Sequence, residues 1–152
     1  MLTGDMLRRS AERFPRKPAI LWQDTALSYA ELNEAANRLA NALIGAEFGK
    51  GAKIGIISRN RTEYGIAFFG VARSGCVLVN VSVLYAAEEL AFVLDKADVE
   101  ALIFEDVFSD KVMAVKDQLP QLKTLIRIGG AAGDASDFDA FLAQAETGYP
   151  SI

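Results

Sequence analysis

The chain has 152 residues and no histidine. That absence removes Ser-His and Cys-His nucleophile pairs, histidine general bases and nearly all zinc sites. Cys76 is the only cysteine, so no disulfide can form within the chain, which fits a reducing, cytoplasmic setting. Val77, Leu78 and Val79 follow it, and a small buried apolar residue is the expected role. A reactive thiol would want a cationic, exposed setting that the sequence does not supply. No apolar run reaches the roughly 18 residues of a transmembrane segment. The amino terminus, MLTGDMLRRSAERF, carries charges through its apolar positions and does not read as a signal peptide. Charges of both signs are mixed along the chain, and no block of one sign suggests a tail. The net charge of −4 gives no global basic field for nucleic acid.

What remains is an ordinary globular composition, 51% hydrophobic and 24% charged, in a length that suits a single domain with a sizeable core. The spacing predicts a first helix over about residues 4–13, capped by Thr3, with Leu7, Ala11 and Phe14 along one face. Pro15 and Pro18 force an extended segment, Ala19 to Trp22 reads as a short strand, and Asp24-Thr25 as a turn. Ser28 to Glu31 is a capping box, with Leu27 and Leu32 placed as its hydrophobic staple. Leu32, Ala35, Ala36, Leu39, Ala40 and Leu43 then recur at helical spacing, and Gly45 and Gly49 offer stopping points.

From there, apolar runs alternate with helical patterns. Ile54 to Ile57 is followed by a helix that Asn60 would cap, with Glu63 at the capping-box position and Tyr64, Ala67, Phe68 and Val71 facing inward. Cys76 to Val79 is the next run, then a helix over Glu88 to Ala97 that points Leu90, Val93 and Leu94 inward. Ala101 to Phe104 follows, then a helix from Asp106 to about Leu119 that Pro120 ends. Thr124 to Ile128 reads as an edge or half-exposed strand because of Arg127, and Ser136 would cap a last helix bearing Phe138, Phe141, Leu142 and Ala145. Strand, helix, strand repeats about every 24 residues, enough for a right-handed crossover. The strands are apolar throughout rather than alternating. The expected fold class is therefore α/β, a mostly parallel sheet with helices on both faces.

Four features invite a chemical reading. GAEFGKG at Gly45 to Gly51 fails the phosphate-loop spacing, has no Ser or Thr after its lysine and precedes a strand, so a helix-to-strand turn is expected. Gly49, Gly51 and Gly55 do not match the dinucleotide fingerprint. IGGAAGD, Ile128 to Asp134, lies between a strand and a helix where backbone N–H groups can hold an anion, but it has no cationic or hydroxyl side chain. Asp134 and Asp137 would repel phosphate there, so a surface loop is expected. Glu88, Glu89 and Asp95 suit a helix start and solvation, since adjacent residues do not face each other on a helix. Arg59 and Arg61 flank Asn60 just beyond an apolar strand, where ligands bind in open α/β sheets, and both a binding role and a reading as capping plus solvation stay open.

These elements together resemble the amino-terminal third of the acyl-CoA synthetase branch of the adenylate-forming enzymes. The opening motif of that family is of the type L-[ST]-Y-x-E-L, here Leu27, Ser28, Tyr29, Ala30, Glu31 and Leu32. Ser58-Arg59-Asn60 matches its Asn-containing segment, and Ala72 to Val77 its helix ending in glycine before an apolar strand. Val79-Asn80-Val81-Ser82-Val83-Leu84-Tyr85 with Glu89-Leu90 is similar to the V-N-V-N-P-L-Y…E-L run of fatty-acid–CoA ligases. Ser82 and Val83 replace Asn and Pro, and Ala87 stands where another proline is common.

The resemblance implies an amino-terminal fragment, residues 1–152 as one α/β domain, of an ATP-dependent fatty-acid or related carboxylate–CoA ligase. ATP, magnesium and CoA would serve the parent enzyme, and its partners would be the remainder of the ligase chain and the carboxylate substrate. The family's phosphate loop, nucleotide-binding residues, magnesium-binding Glu and catalytic Lys have no counterpart here, so no catalytic, cofactor-binding or metal residue is assigned and the fragment alone is expected to be inactive. Two alternatives stand beside it: a non-catalytic α/β module for interaction with a partner or for self-association as a homo-oligomer, and a small nucleotide-binding α/β protein.

Overall fold

The computed structural model describes residues 3–151. Helix α1 (Thr3–Arg13) buries Leu7 and Ala11, while Phe14 lies past its end and stays half exposed. The side chain of Thr3, the expected cap, lies outside the described residues. A hairpin follows, β1 (Pro18–Trp22) paired antiparallel with β2 (Thr25–Ser28). The turn sits at Gln23 and Asp24, one residue earlier than the sequence suggested, because Gln23 takes a positive φ of 52° and frees Thr25 to pair with Trp22.

Helix α2 (Tyr29–Gly45) begins with the expected capping box. The Glu31 N–H donates to Ser28 Oγ at 3.1 Å, and the Ser28 N–H donates to Glu31 Oε1 at 3.0 Å. Leu32, Ala36, Leu39, Ala40 and Leu43 form its buried stripe. It ends at Gly45, one of the two expected stopping points, and its left-handed exit falls on Glu47, φ 68°.

The chain then enters a sheet of β3 (Lys53–Ile57), β4 (Val77–Asn80), β5 (Val99–Glu105), β6 (Thr124–Ile128) and β7 (Ser136–Asp137). The spatial order is β4-β3-β5-β6-β7, and every neighbouring pair is parallel. Helices α3 (Thr62–Arg73), α4 (Ala87–Lys96), α5 (Ser109–Val115) and α6 (Phe138–Ala143) supply the cover. Successive residues on a strand point to opposite faces, and the buried side chains sort accordingly. Ile54, Ile56, Ala101, Ile103, Ile126 and Ile128 pack with α1, α2, α3 and α6. Ile57, Val99, Leu102, Phe104 and Leu125 pack with α4 and α5. The strands therefore read as continuous apolar runs because both faces are covered. β4 departs from this: it is the free edge, with Val77 exposed and Val79 half-buried.

Close approach is bought with glycine at two positions. A Cβ on Gly70 of α3 would lie 2.8 Å from Leu39 Cβ, so α2 and α3 meet backbone to side-chain root. A Cβ on Gly55 of β3 would meet Leu102 at 3.0 Å and Val99 at 3.1 Å.

Several local expectations are corrected. Helix α3 starts at Thr62 with Arg61 in the cap position, and neither Asn60 nor Glu63 caps it. Its buried positions are Ile66, Ala67, Gly70, Val71 and Arg73, which leaves Phe68 48% exposed rather than in the core. The helix expected over Asp106 to Leu119 is α5 between two 3₁₀ turns, Asp106–Phe108 and Lys116–Gln118. β6 is not an edge, since β7 pairs beyond it, though Arg127 is partly exposed as expected. Asp137, not Ser136, caps α6, its carboxylate accepting the Ala140 N–H at 3.0 Å. Ser136 is drawn into the ladder with Ile126.

Beyond α6 the chain returns across α2 and is tied there by polar side chains. Asn37 donates to the Thr147 carbonyl, Arg38 to those of Ala143 and Ala145, and Asn41 to those of Glu146 and Gly148. The Tyr149 ring ends this strap between the Arg8 and Arg73 guanidinium groups, at 5.1 and 5.0 Å. Arg73 is buried, donates to Asn33 and Asn37, and has its pKa pushed down by burial.

Candidate functional site

β3 leads to α3 on one face of the sheet, and β5 leads to α5 on the other. A crevice opens at such a switch point, outside the carboxyl ends of the strands, and it is where open α/β sheets bind ligands. In this chain the crevice between β3 and β5 is filled by its own charges.

Glu105, the last residue of β5, is fully buried. Its carboxylate accepts from the Arg59 backbone N–H, from Arg59 Nε and Nη2, from Arg61 Nη1 at 3.1 Å and from Ser58 Oγ at 3.3 Å. Arg59 Nη2 stands 2.9 Å from Oε2. Burial by itself would raise the carboxyl pKa, and it is the largest single influence. The hydrogen bonds from the Arg59 side chain and backbone and from Arg61 together outweigh it and hold the pKa at about 2. Glu105 is therefore a fixed anion, saturated with donors, and not a proton carrier.

Arg61 is locked from three sides. It shares Glu105, pairs with Glu63 at 2.7 Å and carries the Trp22 ring 4.5 Å from its Cζ. The β1–β2 hairpin is thereby pinned to the carboxyl edge of the sheet. Arg59 has the opposite character, with its side chain 62% exposed beyond the Glu105 contact. Asp139, at the start of α6, has its pKa raised by burial and then by Asp137 and Glu63. The two sequence readings of Arg59 and Arg61 thus resolve into an ion network with Glu105. The sequence reading ended the β5 strand at Phe104 and missed that partner. The signal was present in two apolar strands with complementary ends, IIS-R-N-R and LIF-E-D.

The other candidates fall apart in space. In the glycine loop after β6, Gly129, Gly130 and Gly133 all take positive φ. The Gly130 N–H donates to Asp137 Oδ1, and Asp106 Oδ2 lies 2.8 Å from where a Gly129 Cβ would be. The loop turns its donors and its open Cα to the chain's own carboxylates, so an incoming phosphate would meet like charge. Arg127 donates to the Gly129 and Gly130 carbonyls, and Lys116 pairs with Asp134 at 2.8 Å. The Gly45–Gly51 segment is a helix-to-strand turn at the amino edge, beside a cavity of about 530 Å³ lined by Lys50, Lys53, Asp98, Glu100, Gln121 and Lys123. Glu89 caps α4 by accepting the Ala86 N–H, and Glu88 stands beside it in the first turn of the helix. Cys76 is buried, and burial pushes its thiol pKa up. Among the described residues no three His, Cys, Asp or Glu side chains cluster as metal ligands, and no helix is long and apolar enough to cross a membrane.

The doubly wound parallel sheet is the fold of the amino-terminal domains of adenylate-forming ligases, and solved structures of that class superpose on it. An anthranilate–CoA ligase, AuaEII, matches over 100% of this chain and 30% of its own, with a TM-score of 0.94 at 22% identity. A long-chain-fatty-acid–CoA ligase of Rhodopseudomonas palustris, so described on a putative basis, matches with a TM-score of 0.92 at 26% identity, over 100% of this chain and 39% of its own. Residues 7–148 match the AMP-binding enzyme family, and the chain belongs to it. It is 37% identical over 136 residues to the medium/long-chain-fatty-acid–CoA/3-oxocholest-4-en-26-oate–CoA ligase of Mycobacterium marinum. It is 34% identical over 138 residues to the 3-oxocholest-4-en-26-oate–CoA ligase of Rhodococcus rhodochrous. These alignments cover 90% and 91% of this chain and 24% of each relative, so the chain spans about a quarter of the length of the curated relatives it matches.

Proposed function

We propose that this chain is the amino-terminal scaffold of an ATP-dependent fatty-acid or related carboxylate–CoA ligase, working in the cytoplasm with the remainder of that ligase as its partner. The observation that carries the reading is the 37% identity to a medium/long-chain-fatty-acid–CoA ligase across 90% of the chain. In the proposed parent, the carboxylate attacks the α-phosphate of ATP to form an acyl-adenylate and pyrophosphate, and the CoA thiol then displaces AMP.

ATP and magnesium do not fit the residues present. The Glu105 carboxylate is spent on Arg59 and Arg61, and the glycine loop meets Asp106 and Asp137. No step of the reaction is therefore routed through these residues. Their role is to fix the β3–α3 loop, the hairpin and the sheet against which a catalytic layer packs. The 152-residue chain alone is read as inactive, because it lacks donors aimed at a pentavalent phosphate.

The test has two arms. The complete gene product should release AMP from ATP, magnesium and CoA with a medium- or long-chain fatty acid or with 3-oxocholest-4-en-26-oate, and failure with both kinds of carboxylate removes the assignment. The 152-residue chain should show no ATP–pyrophosphate exchange above background. A second reading, self-association, is favoured by one observation: among the described residues β4 pairs with β3 alone and leaves Val77 exposed at a free edge. A monodisperse monomer by light scattering at high concentration would remove it.

A further inference from the structure

We propose that the cavity at the amino edge of the sheet binds a small phosphorylated sugar. The proposal does not depend on the ligase reading. The cavity opens at the end of the sheet opposite the switch point, and its lining suits neither a nucleobase nor an acyl chain. Neighbouring strands all run parallel, so their first residues collect at one edge. Lys53 opens β3 and is paired with Val99 of β5, and the Lys123 N–H, just ahead of β6, donates to the Glu100 carbonyl at 2.8 Å. The turn before β3 is fixed by the Gly51 N–H, which donates to the Gly75 carbonyl at 2.8 Å. Three segments distant in sequence thereby surround one space of about 530 Å³, within the roughly 300–1,000 Å³ of small-molecule sites.

The side chains around that space carry both signs of charge. Lys50, Lys53 and Lys123 bring three ammonium groups, and Asp98 and Glu100 two carboxylates, a local positive excess in a chain whose net charge is −4. Few of these charges are neutralised within the chain. Lys50 and Asp98 are exposed, and neither has an ion-pair partner among the described residues. Lys123 meets Glu100 only at 3.7 Å, with its side chain 68% exposed. Lys53 donates one proton to the Gly51 carbonyl at 2.9 Å and keeps two others. Gln121 Nε2 donates to the Leu94 carbonyl at 3.4 Å, which leaves its amide oxygen as an acceptor. Glycine and alanine complete the lining, and no aromatic or long aliphatic side chain takes part.

The mixture of signs selects the ligand. Ammonium groups bind phosphate as point charges. A bare anion would use the lysines but stand against Asp98 and Glu100, and a neutral sugar would leave the lysines without a counter-charge. A phosphorylated sugar satisfies both sets: its phosphate meets the ammonium groups, and its hydroxyls donate to the two carboxylates and the Gln121 oxygen. A nucleotide gains nothing further, since its base finds no apolar surface to cover. The charged groups are exposed or half-buried, so a dissociation constant on the order of 1 mM is expected.

Titration of the isotope-labelled 152-residue chain with glucose 6-phosphate, followed by amide chemical shifts, tests it. The shifts should saturate and centre on residues 49–53, 98–100 and 121–123. Glucose 6-phosphate should bind at least about tenfold more tightly than inorganic phosphate or glucose, and AMP no more tightly than glucose 6-phosphate. Lys50→Gln with Lys123→Gln should weaken binding at least about fivefold, since one exposed ion pair contributes up to about that much. Asp98→Asn with Glu100→Gln should narrow the preference for glucose 6-phosphate over inorganic phosphate, because it weakens the hydroxyl acceptors and removes the repulsion together. Asparagine tolerates the φ of 58° at position 98, so the turn is kept. Arg9→Gln with Arg13→Gln, two exposed cations of α1, should leave binding unchanged. No saturation by about 20 mM, shifts centred elsewhere, or inorganic phosphate binding equally well would overturn the proposal. So would tighter binding of AMP, an unchanged preference in the carboxylate variant, or an equal loss in the α1 variant.

Discussion

Replacing Glu105 with Gln tests the carboxyl-edge network most directly. The substitution keeps the shape of the side chain and removes only the charge. Whichever way the amide turns, its NH₂ meets donors, either Arg59 Nη2 and Arg61 Nη1 or the Arg59 backbone N–H and Nε, in a fully buried place. Two estimates of the cost converge. A carboxyl held at about 2 against an ordinary 4.5 corresponds to about 3 kcal/mol at about 1.4 kcal/mol per pKa unit. Removing one member of a buried ion pair typically costs about 3–5 kcal/mol. The sign follows from the depressed pKa. The contribution is fully present above about pH 4.5 and is lost as the pH falls through that window toward about 2. Urea unfolding followed by Trp22 fluorescence suits the question, because the single tryptophan stacks on Arg61 inside the network. The gap between the native chain and Glu105→Gln should be about 3 kcal/mol at pH 7, roughly half that at pH 3 and near zero at pH 2. A gap below about 1 kcal/mol at pH 7, or one that does not change between pH 6 and pH 3, would refute the account of Glu105 as a clamped anion.

Arg59→Ala should cost less than Glu105→Gln in the same titration, because its guanidinium is largely exposed; a larger loss would relocate the network's centre. Gly70→Ala drives a Cβ to 2.8 Å from Leu39, where overpacking of about 1–3 kcal/mol exceeds the helix-propensity gain of up to about 1. Its melting temperature should fall, and a rise would contradict the close α2–α3 contact. Ser28→Ala removes the acceptor of the Glu31 N–H and should cost about 1 kcal/mol in denaturant unfolding, with no loss indicating that the capping box contributes nothing. Cys76 should resist a thiol reagent in the native state and react at once in urea, and fast native labelling would show that the site is open.

The sequence disclosed what is decided locally. Ser28 and Glu31 satisfy each other within one turn of helix, so their roles were legible without the fold. The apolar runs of β3 and β5 likewise announced a sheet covered on both faces. Contacts decided at a distance were hidden. Asn60 is a good cap by local rule, but Glu105, distant in sequence, holds the Arg59 N–H and the Arg61 guanidinium. The backbone stays extended through Arg61, φ −153° and ψ 176°, and α3 starts late. Ser136 lost its capping role the same way, when pairing with Ile126 moved the helix start by one residue. Phe68 was misplaced for a different reason: a helix with alanine and glycine on its buried side offers two plausible stripes, and the narrow one through Ile66, Ala67, Gly70 and Val71 won.

The strap across α2 has a consequence in time. Asn37 reaches a carbonyl 110 residues later in the chain, and Arg38 reaches one 105 residues later. At a synthesis rate of about 5–20 residues per second, the polar flank of α2 leaves the ribosome roughly 5–20 seconds before its partners exist. Loop closure over that span comes after the sheet has assembled from its shorter crossovers. For that interval Arg73 has the asparagines of α2 but not the Tyr149 ring over it. Variants that loosen Asn37, Arg38 or Asn41 should therefore lengthen the exposure of a nascent chain to proteases and chaperones more than they lower the melting point of the finished fold.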